Sequence, residues 1–546
     1  MTDPNSPPAS LSEDVKIPES ISGLEPVRSV RSPIKLVYDF VPSPPVQEYL
    51  RSYSKKKILG HRSPVDGAVF VPPRGVDPRH GVLIEESVEL SDRGHVGNFC
   101  VTHLPIPGRD DLDIPYVSAW IHLDGANVGF LGLVAGCEND EVHIGMRVQA
   151  VWKKEEELGN TAENILYWKP TGEPSVPVEK PAIVHGINQM NESHNFRDVA
   201  VVSVASHQTK TLSEVNEVQL MADLISKCRN SAGVTQEEIG FTCSGSSDFL
   251  AGQAFSFVHT LDSVGAFPPI SESHVEMDGA FALYEAWVKL QIGEVDTALV
   301  YSYGKPSAGS IIDVLATQLD PYYVSPLWPD CFSLAALQAR LLLDKGLISL
   351  EKMAEISKRS QKNGFDNPNA VRSSKDVSIE NLMNEPTIVD PLRASDISEI
   401  ADGGCAVILA TGDKAKSLCE RPAWIKGIDH RVDSHTLGVR DLTRSSSAFL
   451  AAEKAGGNID RLDVAEIHGM TSAQELILEK EFGLTEETQI NPSGGCLASD
   501  TMMASGLIRI SEVARRIISG QADRGLAHAT SGPCLQQNLV CVLEGE

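Results

Sequence analysis

Three ionisable side chains stand where a strand or loop gives way to a helix, and there the sequence could perform proton-transfer chemistry. Glu276 precedes a helical pattern at 278–293, Asp500 precedes another at 504–519, and His468 ends an apolar strand segment. A helix N-terminus presents unpaired N–H groups and the positive end of the helix dipole, so it stabilises negative charge. A histidine and two carboxylates gathered at such ends would suit general acid–base catalysis.

Each of these residues also has a structural interpretation that needs no catalysis. His468 could be a histidine whose nitrogens are satisfied inside the protein. Glu276 could be a carboxylate that the helix dipole stabilises, and Asp500 could be the N-cap of its helix.

The elements that must position these residues are repeated in the sequence. Three residues of one copy recur 227 positions later in the other, so that Gly279, Gly293 and Asp296 match Gly506, Gly520 and Asp523. In both copies a helical pattern leads through Gly-x-x-Asp into a strand. Strands and helices alternate from about residue 180, which predicts an α/β fold with two related halves. The apolar run at 199–205 predicts a buried parallel strand.

The rest of the chain differs in texture. Short strand patterns separated by Gly, Pro and Asp fill residues 60–168 and fit a five-stranded Greek-key barrel. We predict five segments: a disordered Pro-rich arm (1–45), a barrel domain (46–170), a linker (171–182), a first α/β half with a loop domain (183–420) and a second half (421–546).

Composition excludes several functions. Among 546 residues there are 47 Lys and Arg against 74 Asp and Glu, a formal net charge of −27. We therefore expect no nucleic-acid partner, because backbone binding needs a basic surface. No apolar run approaches the roughly 20 residues of a membrane span. Ten cysteines without a C-x-x-C pair, and no signal peptide, favour a reducing, cytoplasmic location.

Several motifs in the second half resemble the thiolase superfamily, closest to its sterol-carrier-protein-x and lipid-transfer type. They are Asn491-Pro-Ser-Gly-Gly495, Ile467-His468 and Asp402-Gly-Gly-Cys-Ala406. The resemblance covers about 180–546. It implies an α/β thiolase fold, with two duplicated βαβ halves in a five-layer αβαβα arrangement, and a homodimer.

The chain departs from thiolases at the catalytic positions. Glu276 occupies the place of the nucleophilic cysteine, although a slip in register would point to Asp278, and Asp500 occupies the place of the histidine in Gly-His-Pro. Thr242-Cys243-Ser244-Gly245 resembles the nucleophile motif, but we interpret Cys243 as an inert buried cysteine. Thiolysis needs a thiolate, so these departures predict that it is lost.

A retro-aldol cleavage needs only a base and donors that stabilise a thioester enolate. The resemblance then implies His468 as the donor to the thioester oxygen. Either Glu276 or Asp500 would be the base and the other the acid. It also implies that Gly494, Gly495 and Gly532 contact coenzyme A. Separately, their positive charge makes Lys210, Arg393 and Lys426 candidate phosphate ligands.

Residues 46–170 resemble the OB-fold partners of thiolases, which usually begin with a zinc ribbon. The four cysteine places of the ribbon hold other residues: Ser63, Asp66, Asp77 and His80. Zinc ribbons need thiolates, so we expect neither zinc nor a permanently bound cofactor. The set Asp66, Asp77 and His80 is the alternative metal site.

Together these resemblances predict a lyase that cleaves a bulky, steroid-like β-hydroxyacyl-CoA to a ketone and a short acyl-CoA. One alternative is a thiolase-type acyltransferase that uses another cysteine. A second alternative is a non-catalytic protein that binds acyl-CoA or lipid.

Overall fold

A computed structural model describes residues 43–73, 75, 77, 82–105, 112–177, 197–212, 217–251, 254–266, 268–320, 324, 329–457 and 461–545. The predicted arm lies outside these residues apart from 43–45, where the first helix already begins at Pro44. Residues 171–177 of the predicted linker have no regular secondary structure.

The N-terminal elements form a β domain. In chain order they are α1 (Pro44–Tyr53), β1 (Ile58–Arg62), β2 (Val69–Phe70), β3 (Glu86–Leu90), β4 (Arg93–Thr102), β5 (Tyr116–Leu123), β6 (Phe130–Val134), β7 (Arg147–Trp152) and β8 (Ile165–Pro170). Five strands follow the order β4-β5-β6-β8-β7, and β4 also pairs with β7, which closes the barrel. The strand count therefore agrees with the predicted barrel.

The first α/β half and its insertion occupy residues 199–418. The elements are β9 (Val199–Thr209), α2 (Glu217–Ala232), β10 (Phe241–Gly245), α3 (Asp248–Ala251), α4 (Ser256–Val264), β11 (Glu272–Val275), α5 (Gly279–Gln291), β12 (Thr297–Gly304), α6 (Ile311–Thr317), α7 (Cys331–Asp344), α8 (Leu350–Asn363), α9 (Ile379–Met383), β13 (Thr387–Asp390), β14 (Leu392–Arg393), β15 (Asp402–Thr411) and α10 (Gly412–Leu418).

The second half begins at Ala423. Its elements are β16 (Ala423–Val432), α11 (Ser446–Ala455), β17 (Val464–Glu466), α12 (Ser472–Glu481), β18 (Gln489–Ile490), α13 (Gly495–Ala498), α14 (Ser505–Ile518), β19 (Arg524–Ser531) and β20 (Gln537–Glu544).

The duplication is visible in the sheet. Ten strands follow the order β11-β10-β12-β15-β9-β16-β20-β19-β17-β18, so each half has the same internal order and the halves meet at β9 and β16. Strands β12 and β19 are both eight residues long and start 227 residues apart. The predicted parallel direction of β9 is wrong, because β9 pairs antiparallel with both β15 and β16. An apolar run indicates burial but does not encode strand direction.

Helices α5 and α14 are the duplicated helices, and both are buried. In α5 the first five residues are all buried, and in α14 so are the first ten. The buried part of α14 includes Arg509, Ser511 and Glu512, so its burial depends on polar contacts such as the Arg509–Glu466 ion pair as well as on apolar packing. The positions of α5 and α14 before β12 and β19 place their N-termini beside the residues that the sequence singled out.

One strand of the insertion joins the barrel. β13 pairs antiparallel with β4, through Val389 with Thr102 and Asp390 with Val101. Side chains reinforce this seam, since Asn98 Nδ2 donates to the Leu337 carbonyl at 2.6 Å. The barrel and the α/β body therefore share a sheet and a packed boundary, which the sequence did not predict.

Candidate functional site

His468 lies just beyond β17, between that strand and α12. The backbone N–H of His468 donates to Nδ1 of His528 at 3.2 Å. The backbone N–H of Thr530 lies 3.5 Å from Nδ1 of the His468 ring. A backbone N–H can donate only to an unprotonated ring nitrogen. This contact therefore favours the tautomer with the proton on Nε2.

His528 holds the backbone of His468 in place by accepting this hydrogen bond. It is fully buried on β19, and its Nε2 donates to Asn538 Oδ1 at 2.9 Å. Burial lowers the pKa of His528 to about 3, so the ring stays neutral. Sequence reasoning missed His528, because a lone histidine inside a strand carries no motif.

Asp500 faces His468 across the site. Its Oδ1 lies 3.8 Å from His468 Nε2, and the two side chains are 2% and 12% exposed. Burial lowers the pKa of His468, and the nearby Asp500 carboxylate opposes that shift. The same Oδ1 accepts a hydrogen bond from the Ser505 hydroxyl at 2.7 Å. Asp500 does not cap α14, whose N-cap position is Ala504 without a side-chain hydrogen bond.

A thiol that the sequence analysis left unassigned completes the cluster. The donor atoms of His468, Cys496 and Asp500 all lie within 4.8 Å of one another. Cys496 is fully buried in α13, and burial together with Asp500 raises its pKa well above the usual value. It directly follows Gly495 of the Asn-Pro-Ser-Gly-Gly motif, and that position was the only signal in the sequence.

Glu276 lies in a different environment. Its Oε1 accepts from the Asp248 N–H at 2.7 Å, its Oε2 lies 3.6 Å from His274 Nε2, and its side chain is half-exposed. Among the described residues, the hydrogen bonds and ion pair of Glu276 do not include His468 or Asp500. The structure thus brings two of the three predicted residues together.

Asp278 is the residue that would replace Glu276 at the cysteine position if the sequence register slipped. In the structure it is the N-cap of α5. Its Oδ1 accepts from the Ala280 N–H at 2.8 Å. Burial raises the pKa of Asp278 to about 7, although three backbone donors oppose the rise.

A buried ion pair supports the loop that carries Cys496. Arg509 donates to Glu466 and to Ser493, both at 2.7 Å, and Ser493 donates to Glu466 at 2.7 Å. Glu466 and Arg509 are almost wholly buried. This network ties β17, the loop and α14 together, so it fixes the spacing between His468 and the residues before α14.

The predicted glycine contacts have packing explanations. Gly494 has φ +100°, and a Cβ there would lie 2.9 Å from Gly364 Cα and 2.6 Å from Ala498 Cβ. Gly495 packs in the same way on the Asn491 side chain, and Gly532 lies beside Gln536. Tight packing therefore requires glycine at 494 whether or not coenzyme A binds there.

The candidate phosphate ligands and Cys243 differ in burial. Arg393 is wrong as a phosphate ligand, because it is buried and its guanidinium binds Asp396 at 2.6 Å. Lys210 and Lys426 are exposed. Cys243 is fully buried in β10, and burial raises its pKa to about 12.

At the positions that correspond to the zinc-ribbon cysteines, the Ser63 hydroxyl donates to Asp77 at 2.6 Å. His80 lies outside the described residues.

All ten cysteines are free thiols. In the described part of the chain, no helix combines the length and the apolar character that crossing a bilayer requires.

Comparisons with known proteins agree with this architecture. A family model described as "ChsH2, C-terminal OB-fold domain" matches residues 87–153. The chain is 27% identical over 379 residues to an acetyl-CoA acetyltransferase of Methanothermobacter thermautotrophicus, which covers 62% of this chain and 97% of the relative. It is 33% identical over 105 residues to a DUF35 domain-containing scaffold protein of Methanocaldococcus jannaschii, which covers 19% of this chain and 72% of the relative.

Two solved structures share the fold. One is the Ltp2-ChsH2(DUF35) aldolase, with a TM-score of 0.53 and 18% identity, over 64% of this chain and 97% of that chain. The other is human mitochondrial 3-ketoacyl-CoA thiolase, with a TM-score of 0.52 and 16% identity, over 64% and 99%. The chain is therefore a thiolase-like protein joined to an OB-fold domain. Its relation to the scaffold protein shows its family: the chain belongs to the DUF35 family.

Proposed function

We propose that this protein is an acyl-CoA C–C lyase that cleaves a β-hydroxyacyl-CoA by a retro-aldol reaction. The observation that carries the proposal is the pair formed by the partly exposed His468 and the buried Asp500, an N–H donor and a carboxylate separated by 3.8 Å. By the resemblance in sequence, Glu276, or Asp278 if the register slips, occupies the position where thiolases have their nucleophilic cysteine, so the covalent step of thiolysis would have no thiol there.

The reaction balances without a covalent intermediate. Asp500 takes the proton of the β-hydroxyl, the carbonyl of the ketone forms, and the Cα–Cβ bond breaks. Its electron pair moves into the thioester as an enolate, whose oxygen accepts a hydrogen bond from Nε2 of His468. The protonated Asp500 then returns the proton to Cα, which releases a shorter acyl-CoA. Because one carboxylate can carry out both transfers, we propose only a minor role for Glu276.

The boundary between the barrel and the α/β body offers space for an apolar acyl group. A cavity of about 50 Å³ lies there, lined by Trp120, Phe130, Leu319 and Leu437. Pro533 also lines this cavity, three residues beyond Thr530, which contacts His468. We propose that this cavity receives the acyl group. A steroid-sized group exceeds the volume and requires the seam to widen.

Acyl transfer is the second candidate, because Cys496 lies next to His468 and Asp500. The thiol is fully buried and its pKa is raised, so attack on a thioester requires a large movement and the less stable ionised form. The third candidate is a non-catalytic acyl-CoA or lipid-binding role, in line with the scaffold named for the DUF35 relative.

We further propose a cytoplasmic homodimer with thiolase-like layering. The edge strand β11 ends the ten-stranded sheet. Exposed apolar side chains lie near it on the chain: Phe249, Phe255 and Val258. Pairing of two copies along this edge would cover these groups.

The deciding experiment incubates the full-length protein with a steroid β-hydroxyacyl-CoA thioester and follows the products by mass spectrometry. A ketone plus a short acyl-CoA supports the lyase. Formation of acetoacetyl-CoA from acetyl-CoA supports acyl transfer and contradicts the lyase. Tight binding of the thioester without turnover supports the non-catalytic role.

A further inference from the structure

Three side chains with different donor atoms converge from two elements. His468 follows β17, whereas Cys496 lies in α13 and Asp500 just after it. One nitrogen, one sulfur and one carboxylate oxygen lie within 4.8 Å of one another. Imidazole, thiolate and carboxylate are the ligand types that bind zinc, and catalytic zinc sites commonly use three of them.

The spacing is larger than hydrogen bonding requires. His468 Nε2 and Asp500 Oδ1 are 3.8 Å apart, whereas a charge-assisted hydrogen bond would close to about 2.8 Å. Ligands about 2.1 Å from a tetrahedral ion are separated by roughly 3.4 Å. The distance between His468 and Asp500 is nearer to the edge of such a tetrahedron than to a direct contact. Because the three donor atoms lie within 4.8 Å of one another, they must draw together to bind the ion.

We propose that His468, Cys496 and Asp500 bind one Zn²⁺ ion and leave its fourth coordination position open. This site is separate from the former ribbon places in the β domain. It revises the expectation from the sequence that no metal binds. The histidine and the cysteine are 28 positions apart in the sequence. The fold alone brings the three donors together.

Asp500 supplies negative charge at this point, and the positive charge of Arg509, which also acts on the cluster, is paired with Glu466. Asp500 is almost fully buried, and its hydrogen bond from Ser505 is a neutral one. The guanidinium of Arg509 is bound to Glu466 and Ser493. A divalent ion with one carboxylate and one thiolate forms a neutral cluster, which suits a buried position.

The protons balance. Binding releases one proton, from the Cys496 thiol, because a thiol that binds zinc is deprotonated. The neutral ring of His468 moves its proton from Nε2 to Nδ1 to free the ligating nitrogen. The Thr530 N–H that faces Nδ1 is 3.5 Å away, at the outer limit of hydrogen bonding, so it holds the other tautomer only weakly.

This inference goes beyond the proposed lyase function and does not depend on it. The two proposals use the same atoms, because His468 Nε2 and the Asp500 carboxylate cannot bind the ion and at the same time donate a hydrogen bond and take the β-hydroxyl proton. The metal-bound form would therefore be inactive in the lyase reaction proposed above. Metal binding and carbon–carbon cleavage are measured separately, so the failure of one is distinguishable from the failure of the other.

The test removes metal from the full-length protein with a chelator and then titrates it with Zn²⁺ and with Co²⁺. We expect one Zn²⁺ per chain by elemental analysis. Co²⁺ should give a thiolate-to-cobalt absorption band in the near ultraviolet. C496S should lose that band, and C496S and D500N should each bind Zn²⁺ at least about tenfold more weakly.

The control is C137S, which changes a partly exposed cysteine of the β domain and should bind as the unaltered protein does. Circular dichroism checks that each variant is folded, and if C496S does not fold, D500N alone decides. Failure to bind Zn²⁺, or a band that survives in folded C496S, overturns the proposal. Lyase activity of the metal-free protein supports the lyase, and loss of that activity on adding one Zn²⁺ per chain supports a metal site at the same residues.

Discussion

The carboxylate of Asp278 accepts a hydrogen bond from the backbone N–H of Gly506, with 2.8 Å between Oδ2 and the nitrogen. Its Oδ1 also accepts from the Leu507 N–H at 3.0 Å, while it caps α5 through Ala280. One side chain thus closes the N-termini of both duplicated helices. A Cβ on Gly506 would lie 2.5 Å from this carboxylate, so glycine is required for the approach.

We expect D278A to destabilise the protein by about 2–4 kcal/mol, since it leaves three buried N–H groups without acceptors. Urea unfolding measures the loss. The matched control is S349A, which removes the cap of α8 alone at an exposed position and should cost about 1 kcal/mol. Equal losses for the two variants would contradict the double cap.

Replacing the proposed catalytic residues should separate them. H468A and D500N should each lower lyase turnover by about 100-fold or more, because each removes a group that acts in the transition state. E276Q should stay within about tenfold of the unaltered protein, since Glu276 contacts Asp248 and His274 instead. Steady-state kinetics on the steroid thioester measure this. A larger loss in E276Q than in D500N would exchange their assigned roles.

His528 should act through the position of His468. Its Nδ1 accepts from the His468 backbone, and asparagine can offer a carbonyl oxygen near the same place, whereas leucine cannot. We therefore expect H528L to lower kcat by about tenfold or more with little change in KM, and H528N to recover part of the loss. A purely structural role would give two variants whose activity follows their folded fraction.

Acid should weaken the β domain through His122. The half-buried ring packs against Gly97 and Gly129 and stacks on His95, with centroids 5.4 Å apart. Burial, with a smaller effect of His95, lowers the pKa of His122 from 6.5 to about 4. Between these values the unfolded chain binds a proton that the folded chain does not, so stability falls as the pH falls from 6.5 to 4.

Thermal unfolding at pH 7.5 and pH 5 measures this dependence. H122Q should show a smaller decrease between the two pH values than the unaltered protein. H143Q changes an exposed histidine of the same domain and should behave like the unaltered protein. An equal decrease in H122Q would contradict the assignment.

Local patterns in the sequence predicted much of the fold. The Gly-x-x-Asp repeat located α5 and α14, and the helical patterns predicted at 278–293 and 504–519 match their observed bounds to within two residues. Strand direction was not encoded locally, as β9 shows. The pairing of β13 with β4 was not predictable, because it joins residues nearly 290 positions apart.

The candidate site was predicted in part. Motif order identified His468 and Asp500, which meet in the structure. Cys496 and His528 were missed, because their importance comes from what the fold places beside them. Arg393 was predicted from its charge alone, and only the structure reveals its buried partner Asp396.

Because β13 pairs with β4, the β domain depends on the α/β body to cover one edge of its sheet. If the β domain were produced alone, the edge of β4 that pairs with Val389 and Asp390 would present unpaired backbone groups. Such an edge invites self-association and aggregation. Placing donor and acceptor strands in one polypeptide fixes their ratio at one to one and keeps the effective concentration of the partner high.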